Sequence, residues 1–182
     1  NAFTWFDQTV YINDIPSNQA DAWLTIESNR FKNPVFRLFH TELEAVYEEK
    51  NRSLDNDDDK LWDALFYRLF PQHTYGSQTT IGTVEHLKNP SLKAIREFYK
   101  SYYLPNNMAI ILSGDFNPDE LIKKIEAAFS GFQSGNIPKR TVNSPFTPTE
   151  GPISVWGPNP ESLIIGYRYP AAGSYESDVA LL

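Results

Sequence analysis

The sequence predicts an α+β fold, with helices packed on one face of a largely antiparallel sheet. Three observations carry that expectation. Segments with apolar residues at helical spacing follow one another through the middle of the chain. Short β-branched and aromatic runs stand at its start and again after residue 107. Aromatic residues reach 14%, with 12 Phe, 10 Tyr and 4 Trp, which is ample bulk for a packed core.

The elements follow in order. Asn1-Ala2-Phe3-Thr4 and Thr9-Val10-Tyr11-Ile12 read as strands. Ser17-Asn18 can cap a helix through Ala22, Trp23, Ile26 and Arg30, ending before Asn33-Pro34. A longer helix is expected from about Phe36 to Leu54, and the acidic run Asp55 to Asp59 then marks a helix junction with no special role. Leu61, Trp62, Leu65, Phe66 and Leu69 define a third helix, and residues 71–82 have loop composition. Thr83 to Leu87 makes a short helical turn. Asn89-Pro90-Ser91 opens a helix carrying Leu92, Ile95, Phe98, Tyr99 and Tyr102. The continuous apolar run Met108-Ala109-Ile110-Ile111-Leu112 predicts a central strand. Asn117-Pro118 starts a helix with proline at its first position, leading through Leu121 to Phe129.

After Gly131 the texture changes. Six of the 13 prolines fall between residues 138 and 160, the composition of a linker. Ile153 to Trp156 and Ser162 to Tyr167 then predict two strands joined by a Gly-Pro-Asn-Pro turn. The expected division is a first domain over 1–130, a linker over 131–151 and the start of a second domain over 152–182. Ser174 to Leu182 opens like a helix without a cap, so the ends are expected to be cut from a longer protein.

Composition narrows the function classes. The 182 residues suffice for one sizeable domain, or one domain and part of another. With 41% hydrophobic and 21% charged residues the chain is not of disordered type. No cysteine is present, which excludes a disulfide scaffold, a zinc ribbon and a thiol nucleophile. Sixteen basic against 23 acidic residues, a net charge of −7, disfavour a nucleic-acid partner. No apolar run approaches a transmembrane span.

The Phe36–Leu54 helix holds the most informative side chains. Advancing about 100° per residue from Glu42, Val46, Phe39 and Leu43 lie on one side, and Glu49 returns to within about 20° of Glu42. Both glutamates are therefore expected inside the apolar sector, where carboxylates are costly unless paired or bound to a cation. Two readings stay open. They are edge acids that reach water or pair with Arg30, Arg37 or Arg52, or they belong to a metal site with histidines from elsewhere. His40, His73 and His86 do not supply those histidines, because no pair has the i, i+4 spacing of helical zinc ligands. All three are expected as loop or surface residues without partners. Nucleophile-elbow glycines and Gly-rich phosphate loops are absent as well.

Taken together, Asn1-Ala2-Phe3-Thr4 with Thr9-Val10-Tyr11, Glu42-Leu43-Glu44-Ala45-Val46-Tyr47-Glu48-Glu49-Lys50-Asn51, Pro105-Asn106-Asn107-Met108-Ala109-Ile110 and Ser113-Gly114-Asp115-Phe116 resemble the M16 zinc metallopeptidases. This is the pitrilysin, insulin-degrading and mitochondrial-processing-peptidase group, the inverzincins. The resemblance covers essentially the whole chain in order, and Ser162 to Ala172 looks like the start of the family's second homologous domain.

The resemblance implies Zn²⁺ as cofactor, peptides as substrates and a second M16-like half or subunit as partner. It makes Glu49 the third zinc ligand and Glu42 the carboxylate that steadies the site. It makes Asn1, Ala2, Phe3 and Thr4 the edge strand on which peptide lies by β-addition, with Trp5 crowding that edge where the family often has a small residue. The H-x-x-E-H motif, which would carry two histidine ligands and the general base, is missing and is expected upstream. No catalytic residue is therefore assigned within the chain, and the segment alone is expected to be inactive. The loss of upstream strands is expected to leave a sheet edge prone to pairing with another copy. Two alternatives accompany this reading: a non-catalytic M16-like half acting as scaffold or peptide-binding wall, and an α+β interaction domain with structural glutamates. The resemblance points to the bacterial periplasm or cell envelope.

Overall fold

The computed structural model describes residues 1–139, 147–170, 173–175 and 177. It is helical, with one small antiparallel sheet. Strands β1 (Ala2–Thr4) and β2 (Thr9–Tyr11) pair in the register Ala2↔Tyr11, Phe3↔Val10, Thr4↔Thr9. The helices are α1 (Ala20–Lys32), α2 (Phe39–Asp55), α3 (Asp57–Leu69), α4 (Thr74–Ser77), α5 (Val84–Lys88), α6 (Leu92–Tyr102) and α7 (Pro118–Phe129). The chain divides into two compact units, Asn1–Glu42 with Asn89–Arg140 and Leu43–Lys88 with Thr141–Leu182, the boundary falling within α2.

Local chemistry explains most helix boundaries. Asn56 accepts the N–H groups of Asp58 and Asp59 to cap α3, Ser91 accepts that of Ala94 to cap α6, and Asn117 accepts those of Asp119 and Glu120 to cap α7. Helix α2 begins at Phe39 rather than Phe36, because Leu38 adopts a left-handed conformation (φ 54°) just before it. The stretch 71–82 is not all loop. His73 accepts the Tyr75 N–H through Nδ1 at 3.1 Å and starts the single turn of α4.

In the first unit, α1 packs on α7. Each contributes one buried apolar side chain, Leu24 and Leu121 respectively. The ends are tied by Lys124 Nζ, which donates to Asp21 Oδ1 and Oδ2 at 2.7 and 2.9 Å. In the second unit, α4 packs on the end of α3 with its main chain against it. A Cβ on Gly76 would stand 2.7 Å from the Phe66 carbonyl oxygen, so only glycine fits that approach.

Three expected strands lack a ladder. Met108–Leu112, Ile153–Trp156 and Ser162–Tyr167 carry no strand pairing among the described residues. A strand exists only through the hydrogen bonds of a neighbour, and none of the described segments pairs with these as a strand. Ile111 is 90% exposed as a result. The last two runs lie instead along α3. Thr149 donates its N–H to the Arg68 carbonyl at 2.9 Å, near the end of the helix. Asn159 donates its N–H to Asp57 Oδ2 at 3.0 Å, at the start. Gly166 returns to Leu65 and Leu69, and the Arg168 guanidinium sits 5.0 Å over the Phe70 ring. The acidic junction therefore has a role after all: Asp57 is buried and engaged. Part of the linker, residues 140–146, and most of the helix expected from Ser174 lie outside the described residues. Ser174 Oγ accepts the Ser177 N–H at 3.1 Å, a helix-start contact.

Candidate functional site

The candidate ligands sit on α2. Its inward stripe is Leu43, Val46, Tyr47 and Lys50, with Lys50 only 7% exposed. Lys50 and Leu43 lie near 80° and 100° from Glu42 at about 100° per residue, which places the centre of the stripe about a quarter turn away from both glutamates. Glu42 and Glu49 are accordingly exposed, not inside the apolar sector as expected. The sequence pattern misplaces them because Lys50, a charged residue, does not read as a buried position. Burial raises the carboxyl of Asp63 on α3 above its usual range, while the Lys50 charge opposes the rise.

Neither glutamate takes part in an ion pair among the described residues. Arg30, one of the expected partners, pairs with the buried Glu27 instead. Glu42 and Glu49 are two turns, roughly 10 Å of helix rise, apart. Among the described residues no cluster of three or more His, Asp or Glu could hold a metal ion. The donor set present is one exposed carboxylate, chemically suited to zinc beside imidazoles but insufficient by itself.

The Asn1–Thr4 segment forms its own hairpin. Asn1 exchanges main-chain hydrogen bonds with Ile12 at 2.8 Å, extending the β1–β2 ladder by one pair. Trp5 donates its N–H to the Gln8 carbonyl at 2.8 Å and closes the turn. Among the described residues β1 pairs with β2 alone, so its other edge is open to an added strand. Trp5 and Phe3 stand exposed beside it.

The histidines are better engaged than expected. His73 caps α4 and its ring lies 4.2 Å from that of Tyr75. His86 Nδ1 accepts the Thr83 N–H at 3.4 Å, and Thr83 Oγ1 accepts the His86 N–H at 3.3 Å. His40 lies on α2, exposed, against Phe39. A feature not foreseen is an aromatic pocket of about 270 Å³ in the first unit, walled by Tyr11, Phe31, Phe36, Tyr99 and Tyr103. The Arg30 guanidinium covers the rings of Tyr11 and Phe31 at 4.6 and 5.0 Å. Tyr99 donates its hydroxyl to the Phe31 carbonyl at 2.7 Å, and burial pushes the phenol up to about 12. The one-turn spacing of Tyr99 and Tyr103 was the available signal, since it stacks their rings 4.3 Å apart.

Residues 90–182 match the family model described as the Peptidase M16 inactive domain. This chain belongs to the M16 peptidase family. The matched stretch holds α6, α7 and the segment laid on α3, whereas β1, β2 and the glutamates of α2 precede it. Among M16-type relatives, the zinc protease PqqE of Helicobacter pylori is 26% identical over 100% of this chain and 42% of its own length. The uncharacterized zinc protease YmxG of Bacillus subtilis is 27% identical over 74% of this chain and 33% of its own. The crystal structure of a protease from H. pylori superposes with a TM-score of 0.67 at 26% identity, covering 80% of this chain and 35% of that one. The first half of the periplasmic protease PqqL from Escherichia coli shares the fold, with a TM-score of 0.66 at 22% identity, over 78% of this chain and 31% of that one. The M16 chain described here thus spans 33% to 42% of the length of these curated relatives. No helix among the described residues is long and apolar enough to cross a membrane.

Proposed function

We propose that this chain is part of a zinc-dependent M16 metalloendopeptidase, to which it contributes the glutamate ligand Glu49. The observation that carries the reading is an exposed Glu49 carboxylate, outside every described ion pair, on the helix that the family resemblance marks. Glu42, two helical turns away, orients the site without touching the metal. The histidine ligands and the general base come from an H-x-x-E-H segment outside residues 1–182. Zinc, when bound, acts as a Lewis acid on the peptide carbonyl. Asn1, Ala2, Phe3 and Thr4 take the peptide as an added strand on the open edge of β1, and main-chain hydrogen bonds make that affinity tolerant of sequence.

In the whole protein, Met108–Leu112 joins a larger antiparallel sheet with helices on one face. Residues 1–130 belong to a first M16-like domain, 131–151 to a linker and 152–182 to the start of a second. The likeness to the first half of the periplasmic protease PqqL motivates a second M16-like half as partner and the periplasm as compartment. In the full-length protein, Glu49→Gln is expected to remove bound zinc and peptide hydrolysis together; retention of both defeats the reading. A second reading, a non-catalytic half that walls a peptide chamber, is favoured by the inactive-domain description of the match. A full-length protein that binds peptide yet takes up no zinc would establish it.

A further inference from the structure

The segment laid on α3 is held at both ends of one stripe. Asp57, Leu61, Leu65 and Leu69 recur every four residues, so they share one helix face. The chain meets that face near Arg68 at Thr149, runs to Asp57 at the Gly157-Pro158-Asn159 turn, and comes back over Leu65 and Leu69 at Gly166. At the turn, the buried Asp57 carboxylate accepts the Asn159 N–H at Oδ2 and the Lys60 ammonium at Oδ1, both at 3.0 Å. Gly157 lies so close that a side chain there would run into the same carboxylate. Its backbone has no left-handed φ, so the need for glycine is one of space alone.

We propose that Asp57 is the clasp of a strap: residues 149–169 seat on α3 as one unit through this carboxylate, and removing it frees both arms and uncovers the leucine stripe. The strap involves none of the residues assigned to zinc or peptide, and the inference stands independently of that assignment.

The test uses the full chain and four forms: wild type, Asp57→Ala, Gly157→Ala and the double variant. Limited chymotrypsin digestion reads cleavage after Trp156 and Tyr167, with cuts in the first unit as internal control. Asp57→Ala and Gly157→Ala are each expected to speed strap cleavage by about tenfold or more, leaving the control cuts unchanged. Dye binding to the uncovered stripe should rise in parallel. In the Asp57→Ala background, Gly157→Ala is expected to add little, because the carboxylate it strikes is gone. Wild-type cleavage rates in both single variants overturn the proposal, and so does full additivity in the double variant. Should Asp57→Ala fail to fold, Gly157→Ala leaves every residue of α3 unchanged and decides the question with its own strap-to-control ratio.

Discussion

Replacing Glu49 with Gln keeps the size and most of the hydrogen-bonding capacity of the side chain while removing its charge. If Glu49 is a zinc ligand and Glu42 a supporting carboxylate, the two replacements differ in size of effect. Glu42→Gln in the full-length protein should cost about 10–100-fold in metal affinity or activity, and Glu49→Gln considerably more, measured by metal content and peptide turnover. Asp57 gives a pH dependence. The Asn159 N–H and the Lys60 ammonium hold its carboxyl below the usual range. Its contribution to stability is therefore complete above the ordinary carboxylate pKa of about 4 and is lost as pH falls through the lowered folded value. Acid titration of wild type against Asp57→Asn should show an acid limb that the variant lacks. Tyr99 works at the other end of the scale. The folded chain holds its proton up to about 12, while an unfolded tyrosine releases it near about 10. Stability should fall across that alkaline window, and Tyr99→Phe should flatten the decline seen by circular dichroism.

At the level of elements, caps and periodicity carried most of what could be read in advance. Asn117 and Ser91 start helices where their side chains can take up free N–H groups, and those are local facts of sequence. The strands were legible only as extended, apolar runs. Whether Met108–Leu112 forms a ladder depends on a neighbour, which no local pattern specifies. The glutamates illustrate the same limit. Their position on α2 was readable, but the direction of the buried stripe turned on Lys50, which hydropathy counts as a surface residue although it is buried. Asp57 could have been found, since it stands four residues before Leu61 and so heads the apolar stripe of α3. Packing of α1 on α7 depends strongly on its central leucine: Leu24→Ala should destabilise the chain by about 2–5 kcal/mol in denaturant unfolding.

Across the whole molecule, large apolar side chains remain in contact with water, among them Ile111, Leu163 and Tyr167. Apolar extended segments with unpaired main-chain groups favour association edge to edge. The isolated chain is expected to self-associate with rising concentration, and Ile111→Lys to weaken that association, as measured by sedimentation velocity. The close seat of α4 has a consequence of another kind. Where Gly76 meets the last carbonyls of α3, the main chain itself occupies the volume that any β-carbon would need. Size, charge and polarity of a replacement are then irrelevant, because the obstruction comes before side-chain chemistry begins. A library randomised at position 76 and selected for folded protein should return a single codon family, that of glycine.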